Sequence, residues 1–196
     1  SPETMDRLRG ETSGTSIIGI DTEYDSFRYF REKLCLLQVR AGQTTYLFDP
    51  LGSFDFRPLG DIFADPGIVK VLHAGDNDIR ILKRDYGFAF CRIFDTSRAA
   101  AILDCRYLAL GALVLKFLGV EFAKQKKLQR SQWESRPLTD EQVQYAVRDT
   151  FYLIPLYEKL DQKLRENGRW EEAGKAFADI AEVVWQEKTL DPRGYK

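Results

Sequence analysis

The amino-acid sequence predicts a mixed α/β sheet. Its first half carries short apolar runs separated by turn residues, whereas its second half carries apolar residues at helical spacing. Three of the runs follow one another closely, in the order of a meander, and two later runs alternate with helical segments. A meander followed by strand–helix alternation is typical of a sheet that combines antiparallel and parallel strands.

Five segments are predicted as strands because each is short, apolar and followed by a turn or a polar residue. They are residues 17–21, 34–39, 45–49, 68–73 and 91–94. Ala41, Gly42 and Gln43 form a hairpin-like turn between the second and third strands, and Pro50 ends the third.

Helices are predicted at residues 58–64, 76–86, 95–103, 108–118 and 170–186, with one long helix starting after Thr139. The long helix has the clearest signal, because Thr139 as N-cap and Gln142 three residues later form a capping box. Pro155 is expected to kink this helix. We expect a single domain over residues 1–196, with a core of about 16–165 and a C-terminal helical extension of about 166–196.

Composition narrows the classes of function. The chain of 196 residues is 44% hydrophobic and 30% charged, as in ordinary globular proteins. A net charge of −1 argues against a protein that coats nucleic acid by charge alone, although bound cations can supply positive charge locally. The chain has one histidine, His73, so Ser–His or Cys–His catalysis and a zinc cluster are both disfavoured.

Cysteine usage and hydropathy bear on location. Three cysteines are widely spaced, with no CxxC pair, which is typical of reduced intracellular proteins. The N-terminus is too polar for a signal peptide, and the most apolar run, residues 108–120, is too short to span a bilayer. We therefore expect a cytoplasmic protein that does not bind membranes.

Two acids stand at the end of the first predicted strand. Asp21 and Glu23 are two residues apart, so on a strand their side chains point to the same side. Acids that directly follow an apolar run lose hydration and repel each other unless a positive group joins them. A divalent cation with oxygen ligands fits this pair, and a strand that ends in solvated acids is the alternative.

A second group of polar residues, His-Ala-Gly-Asp-Asn-Asp at residues 73–78, follows the fourth predicted strand. Ligands of α/β sheets tend to bind at the carboxyl ends of strands. Taken alone, helix capping explains this stretch better, with Asp76 or Asn77 as N-cap and Asp78 complementing the helix dipole.

A third pair lies in the long predicted helix. Tyr145 and Asp149 are four residues apart and share one helical face, where a Tyr–Asp hydrogen bond is the simplest explanation. Carboxylates from a strand, a helix start and a later helix can nevertheless converge on one metal site. Two divalent ions about 3.5–4 Å apart can clamp the attacking and leaving oxygens of a phosphoryl displacement.

The motifs together resemble a known family. They are Ile-Asp-Thr-Glu-Tyr at 20–24, His-Ala-Gly-Asp-Asn-Asp-Ile at 73–79, Tyr-Ala-Val-Arg-Asp-Thr at 145–150, and the stretches 126–133 and 136–139. In order and spacing they resemble the DEDDy branch of 3′–5′ exonucleases, specifically the ribonuclease D-like proteins, over about residues 17–160. The resemblance implies a ribonuclease H-like fold with a mixed five-stranded sheet flanked by helices. It also implies a metal-dependent 3′–5′ exoribonuclease that hydrolyses single-stranded RNA to nucleoside 5′-monophosphates.

The resemblance implies a cofactor of two divalent cations, Mg²⁺ or Mn²⁺, and a role for each acid. Asp21 would bridge both metals, and Glu23 and Asp149 would hold the metal that activates water. Asp78 would support the second metal, which overrides the capping explanation. Tyr145 would orient the attacking water and help to deprotonate it, with no covalent enzyme intermediate.

Substrate contacts are expected from Thr22, His73 and Lys126. His73 would contact the terminal nucleotide. Alternatively, it is a core histidine whose hydrogen bonds are made within the protein. Lys126 belongs to a basic strip, residues 124–136, which holds five cations against the single acid Glu134. Such a strip beside an active site would bind phosphates, whereas its simpler explanation is a solvated surface.

The expected partner is single-stranded RNA, with transfer RNA precursors and short oligoribonucleotides as candidates. The helical HRDC domain that often follows in this family is not part of the sequence, which favours short single strands. Three alternatives stay open: a DNA 3′–5′ exonuclease, since the motifs do not read the 2′-hydroxyl; an inactive ribonuclease H-like module that binds RNA or protein; and an unrelated metal phosphoesterase. No pattern in the sequence selects an oligomeric state.

Overall fold

A computed structural model describes residues 1–26, 29–121 and 126–187 of the chain. It contains five strands: β1 (Ile17–Asp25), β2 (Lys33–Ala41), β3 (Thr44–Phe48), β4 (Val69–Leu72) and β5 (Ile93–Asp95). They form one sheet in the order β3-β2-β1-β4-β5. The pairs β1–β2 and β2–β3 are antiparallel, whereas β1–β4 and β4–β5 are parallel. The mixed five-stranded sheet is therefore confirmed.

The helices of the described residues flank this sheet. They are α1 (Pro2–Ser13), α2 (Leu59–Ala64), α3 (Asp76–Tyr86), α4 (Thr96–Ile102), α5 (Leu110–Leu118), α6 (Lys126–Gln129), α7 (Asp140–Phe151), α8 (Leu153–Glu166) and α9 (Trp170–Ala181). No helix in the described ranges is both long enough and apolar enough to cross a membrane.

The hydrophobic core lies on both faces of the sheet, with β1 at its centre. On one face, Ile18 and Ile20 of β1 pack with residues of α1, α2 and α3. On the other face, α4, α8 and α9 cover β4 and β5, and α7 lies across β1 and β2. Because strand side chains alternate, Gly19, Asp21 and Glu23 of β1 face the opposite side of the sheet, which α7 covers.

The first strand differs from its predicted extent. It continues to Asp25 and pairs with β2 along its length, with an irregularity between Glu23 and Tyr24. Asp21 and Glu23 therefore lie inside a strand, and not at its end.

Helix α1 was not predicted, because its sequence is mostly polar. The Ser1 side chain caps it by accepting from the Thr4 amide, Pro2 occupies the first turn, and Met5 and Leu8 bury its apolar side. Two buried anchors in twelve residues leave too weak a periodicity to recognise in the sequence.

The capping box of Thr139 and Gln142 is confirmed at the start of α7. The expected kink at Pro155 is wrong, because the chain breaks between α7 and α8 at Tyr152 and Pro155 lies in the first turn of α8. A proline in the first turn of a helix leaves the hydrogen bonding intact.

The last helix ends at Ala181, five residues before its predicted end at 186. Lys83 of α3 donates to the Ala181 carbonyl, which satisfies an acceptor at the helix end. Beyond it, the Trp185 ring lies over the Arg84 guanidinium, with 4.3 Å from the guanidinium carbon to the ring centroid.

Two glycines give a matched test of packing. A Cβ on Gly75, the N-cap of α3, would lie 2.7 Å from the Cβ of Leu72, whereas one on Gly10 in α1 would meet nothing within 4 Å. We expect Gly75→Ala to lower the free energy of unfolding by about 1–3 kcal/mol. Gly10→Ala should raise it by about 0.5–1 kcal/mol through helix propensity. Thermal melts should show opposite shifts of about 2–4 °C per kcal/mol. An unchanged melting temperature for Gly75→Ala would contradict the close approach.

Candidate active site

Three carboxylates converge where α7 crosses β1. Asp21 and Glu23 point towards α7 from alternate positions of β1, and Asp149 comes from the last turn of α7. One carboxylate oxygen from each of the three lies within 4.8 Å of the others. The sequence predicted the convergence of these acids, and the fold brings them together.

The cluster is electrostatically unfavourable when its acids are ionised. Burial raises the pKa of Asp21 well above its ordinary value, and repulsion from Asp78 and Asp149 raises it further. Burial likewise raises the pKa of Glu23, with Asp21 and Asp149 adding to the effect. Oxygen ligands at this spacing are the donor set that Mg²⁺ and Mn²⁺ prefer, so the residues fit a divalent ion.

Asp78 lies beside these three acids but outside their close set. It is the third residue of α3, and its Oδ1 accepts from the Thr22 hydroxyl of β1. Burial raises its pKa to about 6. This hydrogen bond ties α3 to the strand that carries Asp21.

The alternative of Asp76 or Asn77 as the N-cap of α3 is wrong. Gly75 is the N-cap, and no side chain caps the helix. The Asp76 carboxylate pairs instead with Arg98 at 2.5 Å.

The turn before α3 is held by an aspartate that was not predicted from the sequence as a site residue. Asp95, fully buried at the end of β5, accepts from the Gly75 amide at 2.9 Å and from the Arg98 amide at 2.9 Å. It holds a turn in which Ala74 has a φ of 54°, a region that L-residues rarely occupy. Its sequence signal is an acid at a strand–helix junction, which marks a cap and gives no sign of the contact with Gly75.

His73 borders the cleft, with its orientation set by Thr96. The Thr96 hydroxyl donates to the Leu72 carbonyl at 3.1 Å and lies 2.9 Å from His73 Nδ1. Since the single hydroxyl proton goes to the carbonyl, Nδ1 must donate to Thr96. In the neutral ring, Nε2 is therefore the acceptor nitrogen.

Tyr145 lies next to the acid cluster and is 7% exposed. Its hydroxyl hydrogen-bonds to Asp149, and its ring packs 5.9 Å from that of Trp133. Burial, followed by the nearby charges of Asp149 and Glu23, raises the pKa of Tyr145 strongly. The phenol therefore stays protonated beside these carboxylates.

These residues line a cleft of about 570 Å³, a size typical of small-molecule sites. Several residues that line the cleft carry no signal in the sequence that marks them as part of a site: Ser26, Ala109, Leu110, Gly111, Gln129 and Leu153. They come from a loop, the starts of α5 and α8, and the end of α6, which only the tertiary fold brings to the acids.

The residues expected to contact the substrate differ in whether they line the cleft and whether their side chains already have partners. The Thr22 hydroxyl is engaged by Asp78, and the side chain of Lys126 lies outside the described residues, as does Lys124. Arg130 of the basic strip lines the cleft. Arg136 does not act as a phosphate ligand in this arrangement, because it is bound to the Asp49 carboxylate at 2.6 and 2.7 Å.

Comparison with known sequences gives a consistent result. A family model described as a 3′–5′ exonuclease matches residues 2–165. Exosome complex component 10 of Mus musculus is 33% identical over 187 residues, which is 95% of this chain and 20% of that protein. The chain thus spans about a fifth of the length of the curated relatives it matches.

Solved structures show the same fold. The catalytic core of RRP6 from Trypanosoma brucei superposes with a TM-score of 0.88 at 27% identity, covering 100% of this chain and 54% of that one. Escherichia coli RNase D, an exoribonuclease involved in structured RNA processing, gives 0.81 at 30% identity, covering 89% and 46%. NrnC from Brucella melitensis, solved with bound Mg²⁺, gives 0.75 at 25% identity, covering 85% and 82%.

The family model, the shared fold and the motifs that supply the acid cluster agree, and the chain belongs to the 3′–5′ exonuclease family.

Proposed function

We propose that this chain is a metal-dependent 3′–5′ exoribonuclease that shortens single-stranded RNA and releases nucleoside 5′-monophosphates. The observation that carries the proposal is the approach of Asp21, Glu23 and Asp149 oxygens to within 4.8 Å, in an open cleft. Membership of the family and the RNA-processing role of Escherichia coli RNase D support RNA as the substrate.

In this proposal, Asp21, Glu23 and Asp149 would hold one divalent ion, and Asp78 would help to hold a second. Mg²⁺ and Mn²⁺ both suit an all-oxygen donor set. When bound, such ions stabilise negative charge on the attacking and leaving oxygens and lower the pKa of bound water.

The protein side chains supply orientation. The phenol of Tyr145 would donate a hydrogen bond to the attacking water and so orient it. Because its raised pKa keeps the phenol protonated, Tyr145 is better suited to orient the water than to act as a base. As the water oxygen bonds to phosphorus, the water gives up a proton to solvent, the bond from phosphorus to the 3′-oxygen breaks, and that oxygen takes up a proton from solvent. The phosphate thus stays on the released nucleotide, and no enzyme side chain is modified.

Binding of the RNA end would use the other residues of the cleft. Arg130 meets a backbone phosphate, and Lys126 extends the same basic strip. His73 and Thr22 line the same cleft and would contact the terminal nucleotide. Transfer RNA precursors and short oligoribonucleotides both present the single-stranded 3′ end that such a cleft needs.

The main test is a time course on 5′-labelled RNA and DNA of equal sequence, with Mn²⁺ and with a chelator. We expect a ladder that shortens from the 3′ end, faster on RNA and absent with chelator. Asp149→Asn should slow it at least about a thousandfold, since losing one charged ligand removes several kcal/mol of stabilisation. Asp76→Asn is the matched control, because Asp76 belongs to the motif at 73–79 but pairs with Arg98 and not with the acid cluster, and it should retain activity.

Two outcomes would redirect the proposal. Faster loss of DNA would make the chain a DNA exonuclease. Binding of both strands without any shortening would make it a nucleic-acid-binding module.

Tyr145→Phe should lower kcat about a hundredfold at a nearly unchanged KM, because only the hydroxyl that positions the water is lost. The ring keeps its packing on Trp133, so the melting temperature should not fall. Steady-state kinetics on a labelled oligoribonucleotide, alongside thermal melts, measure both quantities. A kcat within twofold of the wild type would remove Tyr145 from the mechanism.

The acid cluster predicts how the stability of the metal-free protein depends on pH. The pKa of Asp78 rises from 3.8 to about 6 on folding, so between these values the folded protein holds a proton that the unfolded chain has lost. The free energy of unfolding therefore falls as pH rises through this window. The raised pKa values of Asp21 and Glu23 act in the same direction.

Melts of chelator-treated protein from pH 4 to pH 8 measure this effect. Asp78→Asn can still accept from Thr22 and should raise the melting temperature at pH 8 by a few degrees, at about 2–4 °C per kcal/mol. The difference from the wild type should vanish below about pH 4. Identical melting curves at every pH would show that burying this acid costs no stability.

A further inference from the structure

Gln38 of β2 is a buried polar side chain that the mechanism above leaves unused. Its exposure is 0%, and neither its Oε1 nor its Nε2 has a hydrogen-bond partner among the described residues. An amide that has lost water without gaining a partner destabilises a fold, so such a group calls for an explanation.

The register of the sheet places Gln38 beside the acid cluster. It stands directly opposite Asp21 of β1, with Leu47 of β3 on its other side. Directly opposed residues of antiparallel strands point to the same face, with Cβ atoms about 4.5–5.5 Å apart. Gln38 therefore points to the face of the sheet that α7 covers, next to Asp21.

The next row of residues across the sheet, Gly19, Arg40 and Thr45, lies on the same face as Gln38, and its polar side chains are already paired. Arg40 donates to the Thr45 hydroxyl at 3.2 Å, and Thr45 lies 3.3 Å from the hydroxyl of Thr150. Thr150 in turn lies 3.0 Å from the Val147 carbonyl. The acid cluster is the adjoining group that accepts hydrogen bonds and carries charge.

We propose that Gln38 is a positioning residue, whose amide donates to the carboxylate of Asp21 when that carboxylate holds metal. This inference rests on the proposed function. An ionised carboxylate has about four acceptor sites, so it can bind cations and still accept from Nε2. A hydrogen bond to a ligating carboxylate fixes its orientation, and the loss of such partners typically costs about 10–100-fold in metal affinity or activity.

The test replaces the amide with apolar side chains of similar size, in Gln38→Leu and Gln38→Met. Thermal melts of metal-free protein, the Mn²⁺ concentration that gives half of the metal-induced rise in melting temperature, and kcat and KM on an oligoribonucleotide are measured for each. We expect a metal-free melting temperature at least as high as that of the wild type, since an unpaired buried amide is removed. The half-saturating Mn²⁺ concentration should rise about tenfold or more and kcat should fall, with KM little changed.

Thr45→Val is the matched control. It lies one row away on the same face of the sheet and loses contacts with Arg40 and Thr150. Its melting temperature should fall, whereas its Mn²⁺ dependence and kcat should match those of the wild type.

The outcomes separate the two roles. Gln38 variants that melt higher, yet bind Mn²⁺ and turn over RNA within about twofold of the wild type, would overturn the inference. Variants whose only change is a lower melting temperature, as in Thr45→Val, would also overturn it by assigning Gln38 a purely structural role. Failure of the proposed function appears separately, as a wild-type protein that does not shorten RNA, and the Mn²⁺-induced rise in melting temperature still tests Gln38.

Discussion

The repulsion among buried carboxylates is the constraint on which the rest of this structure depends. Asp21, Glu23 and Asp149 are held close together although burial and mutual charge both oppose their ionisation. A flexible chain would relieve this repulsion by moving the acids apart. Their approach therefore has to be enforced by rigid elements, and each acid is fixed by a strand or a helix anchored in the core.

The enforcement can be traced to particular contacts. Asp21 and Glu23 are paired with Gln38 and Leu36 of β2, so neither acid can withdraw without breaking the β1–β2 ladder. Helix α7 is pinned at its start by the capping box and packed through Tyr145 and Trp133, which fixes where Asp149 stands. Asp95 holds the strained turn that leads into α3. Holding the acids together therefore lowers the stability of the metal-free fold, and a bound cation would relieve the repulsion among them.

The sequence predicted the parts of this arrangement that have a local signature. Asp21 and Glu23 share a face through the two-residue period of a strand, and Tyr145 and Asp149 share one through the four-residue spacing of a helix. The capping box of Thr139 is equally local. Contacts that depend on register or on tertiary packing had no such signature.

Asp95 and Gln38 show why those contacts were missed. The sequence around Asp95 indicates only a helix cap. Its hydrogen bond with the Gly75 amide exists because β4 and β5 are neighbours in the sheet. Gln38 faces Asp21 only because the β1–β2 register puts them opposite each other, and a shift of one residue would turn Gln38 to the other face. Helix α1 was missed for a different reason, since only two of its buried side chains, Met5 and Leu8, are apolar and the rest of its sequence is mostly polar.

The charge of the cleft links the two ligands in the proposed function. RNA is a polyanion, and of the described residues that line the cleft, Arg130 is the one arginine or lysine, against four acids. Ionised carboxylates alone would repel the scissile phosphate, whereas bound divalent ions both relieve the repulsion among the acids and attract that phosphate. In the proposed function, metal and RNA therefore favour each other's binding, and by thermodynamic linkage the effect is equal in both directions. A net charge of −1 is consistent with this arrangement. Bound cations would supply positive charge at the site itself, so the rest of the protein surface does not need to be basic.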